Sequence, residues 1–156
     1  MKILVSPSEV VALAFGSPNT LGESAIPPHS ILASQQSFLL PALGEELYGA
    51  LTVEEEDGSR GAFVEEYLKQ PLALYVAARL LPTLAVRVGE VGVVILSGDS
   101  FEVVNEATLR KVVARLRAEA DTLLARATTF LANNLDLFPD YNPLSLTRRI
   151  IGGVVM

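Results

Sequence analysis

The sequence predicts a mainly α-helical fold, a small helical bundle built around one long helix near the C-terminus. That helix is predicted from Glu106 to about Asn133, a stretch without Gly or Pro in which apolar residues recur at helical spacing. The apolar positions are Leu109, Val112, Val113, Leu116, Ala120, Leu123, Leu124, Ala127 and Leu131. The helix would be roughly 40 Å long at about 1.5 Å per residue. The remaining apolar segments also have mostly helical spacing, so we expect them to pack along it.

The first 28 residues predict one short helix and a loop. Ser6 is the expected N-cap, Pro7 the first helical residue, and Glu9 the partner of Ser6 in a capping box. The helix should end at Gly16, and residues 17–28 have a loop-like composition.

Residues 29–51 predict two helices divided by a proline. The first is expected over about 29–40, and Pro41 should kink or break it because proline lacks an N–H group and clashes with the preceding turn. A short helix is expected over 43–51, with Glu45 and Glu46 in its first turn, where the helix dipole favours carboxylates. Residues 54–61 begin with four carboxylates. We interpret them as a solvated turn and not a metal site, because the like charges repel and no spaced ligand pattern is present.

Residues 63–88 predict the most buried part of the bundle. A first helical piece should end near Gln70, and a second should run from Pro71 past Pro82 to Val88. The second piece is apolar almost all round, which predicts a central position. Its only charges, Arg79 and Arg87, are interpreted as snorkelling or ion-paired side chains.

A short extended or β segment is predicted near 91–96, where β-branched residues cluster between glycines. No complete nucleotide-binding motif accompanies these glycines, so no cofactor is predicted. Residues 98–105 should lead into the long helix, and residues 133–143 should form its exit and a turn.

The C-terminal tail, residues 144–156, combines two arginines with an apolar run. It either folds back on its own core or adds to a neighbouring chain as a strand. We therefore divide the chain into a single helical domain, 1–143, and a tail or arm, 144–156. The candidate interface residues of the tail are Arg148, Arg149, Ile150, Ile151, Val154 and Val155.

The composition predicts a protein that buries surface against partners. Hydrophobic residues make up 50% of the chain and charged residues 19%, and the mean hydropathy is +0.39. The apolar runs are shorter than the 18–20 or so residues of a membrane span, which leaves a subunit interface as the explanation. The net charge of −6 argues against nucleic-acid binding driven by bulk charge, and the absence of cysteine excludes disulfide and thiol chemistry.

An enzyme that uses paired carboxylates is a competing hypothesis, which the spacing does not favour. Glu45, Glu46, Glu65 and Glu66 are the candidates. Adjacent residues on a helix point about 100° apart, so neither adjacent pair converges. His29, the single histidine, has no nearby Ser–Asp pattern. We expect no catalytic activity.

Three stretches of the sequence, taken in order and with their spacing, resemble segments of a known protein family. The first runs from Ser34 to Leu51 and contains Leu43-Gly44 and Leu47-Tyr48. The second runs from Tyr67 to Leu84, with a proline towards each end, and is followed by Gly92-Val93. The third joins Phe130-Leu131-Ala132-Asn133-Asn134 to Pro139-Asp140-Tyr141. Together they resemble the small helical head–tail connector (adaptor) proteins of tailed phages and prophages.

The resemblance implies a structural virion protein without catalytic residues or cofactors. Such a protein forms a ring, expected to be a dodecamer, that docks beneath the portal, extends the DNA channel and offers a platform for the next tail component. The implied partners are further copies of the chain, the portal protein and the next tail or neck protein. DNA would pass through without specific binding, and no membrane is involved. The implied location is the neck of the virion, after assembly in the host cytoplasm.

The alternative is a non-viral bacterial helical interaction module with no catalytic activity. Portal, capsid and tail genes beside the gene would favour the connector over this alternative.

Overall fold

A computed structural model describes residues 2–16, 22–53, 58–87, 94–97, 100–103 and 106–143. Three of its five helices contain a π-helical turn. Helix α1 consists of Pro7–Val10 and the π turn Val11–Phe15; α2 of Pro28–Ser34, the π turn Gln35–Leu39 and Leu40–Leu43; α3 of Glu45–Leu51; α4 of Gly58–Phe63, the π turn Val64–Leu68 and Lys69–Arg87; and α5 of Glu106–Asn133. A 3₁₀ turn, Glu23–Ala25, precedes α2, and strands β1, Val94–Ser97, and β2, Ser100–Val103, lie between α4 and α5.

The mainly helical fold with one long C-terminal helix is confirmed. Helix α5 has the predicted bounds, and β1 overlaps the predicted extended segment. Strand β2 was not predicted. It pairs with β1 in antiparallel register, from Val94 opposite Val103 to Ser97 opposite Ser100. The predicted tail, 144–156, lies outside the described residues, as do the carboxylate run 54–57 and the glycines at 89 and 92.

The prolines at 41 and 71 do not break their helices, which corrects the expectation. A π turn precedes each proline, with Leu40 N–H donating to the Gln35 carbonyl and Lys69 N–H to the Val64 carbonyl. Proline removes one hydrogen bond of the helix and crowds the carbonyl four residues earlier. Because a π turn is wider and shifts the hydrogen-bond ladder by one residue just before the ring, the chain continues as helix.

Helix ends also differ from the expected ones. Helix α4 begins at Gly58, so residues 58–61 are helical and not part of a turn. Helix α2 ends at Gly44, where φ is +85°, a backbone conformation that glycine adopts without strain. The Gly44 N–H closes the helix by donating to the Leu40 carbonyl at 2.9 Å.

The predicted capping box of α1 is confirmed and ties this helix to α4. The Ser6 hydroxyl accepts from the Glu9 N–H at 3.2 Å, and the Ser6 N–H donates to the Glu9 carboxylate at 2.7 Å. The same carboxylate binds the Lys69 ammonium at 2.6 Å, and Lys69 also pairs with Glu65. Gln70 adds a side-chain hydrogen bond to the Leu13 carbonyl at 3.1 Å.

Helix α4 lies at the centre of the bundle, as its composition predicted. Every residue from Pro71 to Ala78 is buried, and this part of α4 packs against α5, α2 and α1. The long helix α5, expected to be the element around which the others pack, instead lies beside α4 with one face in solvent. Its buried side chains are small or aliphatic and belong to its C-terminal half: Ala120, Leu124, Ala127 and Leu131.

A cluster of aromatic rings fastens the other end of α4 to α5. Phe63 and Tyr67 of α4 stack with Phe130 of α5 at centroid distances of 5.9 and 4.4 Å. Phe138, in the turn after α5, packs on Phe63 at 5.1 Å. An ion pair between Arg60 and Asp140 at 2.5 Å crosses the same region. Residues 134–141 are therefore part of the domain.

A buried glutamine holds the N-terminal segment that precedes α1, residues 2–6, against the bundle. Gln35 is fully buried, and its amide oxygen accepts from the Leu4 N–H at 2.6 Å. Its amide nitrogen reaches the Lys2 carbonyl at 3.2 Å and the Tyr48 hydroxyl at 3.3 Å. The Gln35 side chain thus links the N-terminal segment to α2 and α3, and it satisfies the hydrogen bonding of polar groups that water cannot reach.

The burial along α5 predicts that the same substitution lowers the free energy of unfolding by different amounts at two apolar positions. Leu124→Asp places a charge in the core and should cost at least about 3 kcal/mol of unfolding free energy. Leu116→Asp should cost roughly 1–2 kcal/mol, because Leu116 is only half-buried and its new carboxylate stays hydrated. Urea denaturation followed by circular dichroism measures both. Equal losses would show that α5 is equally buried at the two positions.

The Glu9–Lys69 pair predicts a loss of stability in acid. Burial acts to raise the pKa of Glu9, but its hydrogen bonds to Lys69 and Ser6 and the charge of Lys69 outweigh this, so the pKa lies below the ordinary value of 4.5. A lowered folded-state pKa stabilises the fold above pH 4.5, and that stabilisation disappears as pH falls through the folded-state pKa.

A double-mutant cycle isolates this pair. Glu9→Gln, Lys69→Met and the double variant should give a coupling of a few tenths to about 1 kcal/mol at neutral pH, because the pair is partly exposed. The coupling should vanish in acid. A coupling that is unchanged down to about pH 3 would contradict the assignment of the effect to Glu9.

Candidate functional site

The N-terminal half of α5 carries apolar side chains that are only partly buried. Leu109, Val112, Val113 and Leu116 have the spacing of a core face, yet none of them is buried, and the first buried residue of the helix is Ala120. The apolar stripe that packs on α4 in the second half of α5 therefore continues onto the surface in the first half.

Two adjoining hollows lie along this stripe. The larger, about 390 Å³, lies between Pro82 of α4 and the first three turns of α5. The smaller, about 230 Å³, lies between α2, α4 and α5. They share Val113 and Arg117, so they form one open depression, which we call the α4–α5 groove. Its lining residues are Phe38, Tyr75, Ala78, Arg79, Pro82, Glu106, Leu109, Arg110, Val113, Ala114 and Arg117.

Two stacked rings form the deep end of the groove. Phe38 of α2 and Tyr75 of α4 are almost parallel, with centroids 4.0 Å apart. The Tyr75 hydroxyl donates to the Asp121 carboxylate of α5. Burial raises the pKa of Tyr75 above its ordinary value, and the hydrogen bond and charge of Asp121 raise it further. Tyr75 therefore stays neutral and fixed, which gives the groove a rigid aromatic floor.

Arginines form the rim of the groove. The Arg117 guanidinium lies 5.5 Å from the centroid of the Phe38 ring, within the range of a cation–π interaction. Arg110 is paired with Glu106 at 2.6 Å, and both side chains are exposed. Arg79 is exposed and makes no hydrogen bond or ion pair with the described part of the chain. Among the described lining residues, three arginines and one glutamate give this groove a positive charge on a protein whose net charge is −6.

Further exposed apolar residues lie away from the groove. Leu135 and Leu137, in the turn after α5, are 44% and 54% exposed, although their neighbour Phe138 is buried. Val53, at the end of α3, is 51% exposed. Apolar surface therefore remains at more than one place on the folded chain, and such surface is typical of a protein that binds partners.

Of the residues predicted as candidate sites, some lie outside the described residues and the others are exposed. The six interface residues of the tail lie outside the described residues. Glu45 and Glu46 are exposed in the first turn of α3, and Glu65 and Glu66 are exposed in the π turn of α4, where Glu65 pairs with Lys69.

No acidic or histidine cluster forms in the part of the chain that the structure describes. His29 is exposed at the start of α2. No three His, Asp or Glu side chains among the described residues lie close enough together to hold a metal ion. None of the described helices has both the length and the apolar composition of a membrane span.

The groove itself was not predicted, although its residues were all visible in the sequence. Leu109 and Val113 were assigned to the core face because spacing reveals a face but not the length over which a neighbour covers it. Arg79 was interpreted as snorkelling or ion-paired, and the structure gives it no partner among the described residues. The sequence contained one indication of the groove, because Arg110 and Arg117 flank the apolar stripe of α5.

The fold and the groove define a small helical protein with an open, partly apolar groove on its surface. A model of a family of unknown function, DUF6712, matches residues 34–148, and the chain belongs to this family. No curated protein and no solved structure matches the chain.

Proposed function

We propose that this protein is a structural virion protein, a head–tail connector subunit that forms a ring under the phage portal. The observation that carries the proposal is the apolar stripe of α5, which is only partly buried from Leu109 to Leu116 and of which Leu109 and Val113 line an open groove. A subunit that assembles needs apolar surface left over after it has folded, and this stripe supplies it.

The sequence resemblance supports the same proposal. The Ser34–Leu51 stretch, the Tyr67–Leu84 helix and the Phe130–Tyr141 ending all lie inside the region that the chain shares with its family. They are therefore features of the shared domain and do not belong to the N-terminal segment that precedes it.

The proposed occupant of the α4–α5 groove is a neighbouring copy of the same chain. The groove is basic, whereas exposed carboxylates occur elsewhere on the surface, among them Glu45, Glu46 and Glu66. A contact between two different surfaces of identical subunits is heterologous, and it closes into a ring when the rotation between copies fits. The charge difference would help to orient successive copies.

The remaining parts of the proposal follow from the ring. A wall of acidic subunits would repel DNA phosphates and let DNA pass without specific binding. The portal protein on one side and the next tail or neck protein on the other are the proposed partners. The exposed leucines after α5 offer further contact surface, and the C-terminal tail, 144–156, is a further proposed contact.

Val113→Asp tests the groove as a subunit contact. Val113 is shared by both hollows, so a carboxylate there would be buried in the ring but hydrated in the free subunit. We expect the helical circular dichroism of the subunit to be preserved and the assembly to be lost in mass photometry and negative-stain images. Ala118→Asp, on the exposed side of the same helix, should leave assembly intact.

Two outcomes would count against the groove contact. Wild-type protein that stays monomeric at high concentration, and also in the presence of assembled portal, would overturn the ring. Rings that form normally from the Val113→Asp protein would move the contact elsewhere on the surface.

Truncation after Pro143 tests the tail separately. The last buried residue in the described part of the chain is Tyr141, so we expect the truncated chain to keep its melting temperature. Assembly should weaken, because the truncation removes Arg148, Arg149 and the apolar residues Ile150, Ile151, Val154 and Val155. Normal assembly of the truncated chain would remove the tail from the interface.

A further inference from the structure

The turn after α5 presents two apolar side chains to water on an ordered backbone. Leu135 and Leu137 are exposed, and Asp136 between them is exposed as well. Hydrogen bonds fix the backbone that carries them: the Asn134 side-chain amide donates to the Phe130 carbonyl at 2.8 Å, and the Leu137 N–H donates to the Asn134 carbonyl at 3.0 Å. We call these three exposed residues the Leu-Asp-Leu turn.

The residue after the Leu-Asp-Leu turn anchors it in the core. Phe138 is buried and packs on the rings of Phe63 and Phe130. The two leucines are therefore exposed although the segment that carries them is folded against the domain. Such a turn is a preformed apolar contact, because a partner that covers the leucines loses little free energy in ordering the backbone.

Charge is divided along α5 and the turn that follows it. Residues 106–117 contain four basic residues and one glutamate, whereas residues 118–141 contain four carboxylates and one arginine. The helix dipole does not account for this order, because it favours cations in the last turn of a helix and the last turn of α5 has none. The α4–α5 groove thus lies at the positive end of the helix, and the Leu-Asp-Leu turn lies just past the negative end.

We propose that the Leu-Asp-Leu turn of one copy occupies the α4–α5 groove of the next copy. The two leucines cover the apolar surface of Leu109 and Val113 in the groove, and Asp136 lies among the arginines of its rim. This contact rests on the proposed function, since it names the surface of the neighbouring subunit that fills the groove.

The turn cannot fill the groove of its own chain. At about 1.5 Å per residue, roughly 25 Å of α5 separates Val113 from Phe130, and the residue that ends the turn packs beside Phe130. The contact must therefore form between copies. It is heterologous, because the turn and the groove are different surfaces at opposite ends of one helix, and such contacts close into a ring when the rotation between copies fits.

Disulfide trapping tests the contact directly, because the chain contains no cysteine of its own. Val113→Cys and Leu137→Cys proteins, mixed and oxidised with copper phenanthroline, should form a disulfide-linked dimer, since a disulfide needs Cα atoms within about 7 Å of each other. Both substitutions in one chain should give a ladder of oligomers on a non-reducing gel. The matched control mixes Ala118→Cys with Leu137→Cys and should give little dimer, because Ala118 is on the exposed side of the same helix.

Charge reversal tests the part that Asp136 plays. Added to the Leu137→Cys protein, Asp136→Lys should lower the yield of trapped dimer at least about threefold, because a lysine there meets the arginines of the groove rim. Glu46→Lys makes the same change at an exposed carboxylate of α3 and should leave the yield unchanged. Equal losses from the two reversals would overturn the pairing of the turn with the rim.

The remaining outcomes separate this contact from the ring. Wild-type rings without a disulfide between positions 113 and 137 would overturn the contact and leave the ring intact. Trapping of Val113→Cys by Ile151→Cys instead would assign the groove to the C-terminal tail, and Leu137→Cys protein that links to itself as readily would make the turn an isologous contact. Either result overturns the proposal. If the wild-type protein forms no ring even with the portal, the ring fails, whereas the disulfide ladder still supports the head-to-tail contact and its absence overturns it.

Discussion

The burial of α4 on all sides is the constraint on which the other elements depend. Eight consecutive residues, Pro71 to Ala78, are withdrawn from water, and no single neighbour can cover a helix around its whole circumference. Helices α1, α2 and α5 must therefore surround it. The polar anchors all serve this arrangement: Lys69 holds α1, and Tyr75 holds α5 through Asp121 while it stacks on Phe38 of α2. These anchors are at or near the surface end of each contact, where water still screens part of the charge.

The π turns make this packing compatible with the prolines. Pro41 and Pro71 occur in helices that must stay continuous, since α2 and α4 both cross the core, and each follows a turn that has already shifted the hydrogen-bond pattern. The same turns contain side chains that join elements: Gln35 and Phe38 in α2, and Tyr67 in α4. An irregularity in the backbone thus coincides with the positions that fix the neighbours, because a widened turn changes the direction in which its side chains point.

Sequence patterns predicted the elements better than they predicted the contacts between them. The capping box at Ser6, the bounds of α5 and the central position of α4 all followed from local rules of capping and apolar spacing. The continuous helices through Pro41 and Pro71 did not, because proline rules describe a regular α-helix and say nothing about a preceding π turn. The second strand was missed because its alternation of polar and apolar residues, from Ser100 to Val103, spans only four residues and is too short to stand out in the sequence. The groove was missed because it joins residues from separate helices, and an arginine without a partner has the same letter as one with a partner.

The partly exposed stripe of α5 has two physical explanations, and the groove favours the proposed one. The apolar face of a helix can extend beyond the helices that cover it simply because the apolar repeat is longer than the core requires. The uncovered part should then border water without any groove beside it. Here the stripe instead meets Pro82 and a stacked aromatic floor, and arginines line its edge. An apolar centre with a charged rim is the anatomy of a protein interface, in which the centre supplies burial and the rim supplies orientation. Because Tyr75 and Phe38 are held in place before any partner arrives, a neighbour that docks there loses little free energy in ordering the surface. That preorganisation is a physical argument for the proposal that this groove is a contact surface between subunits.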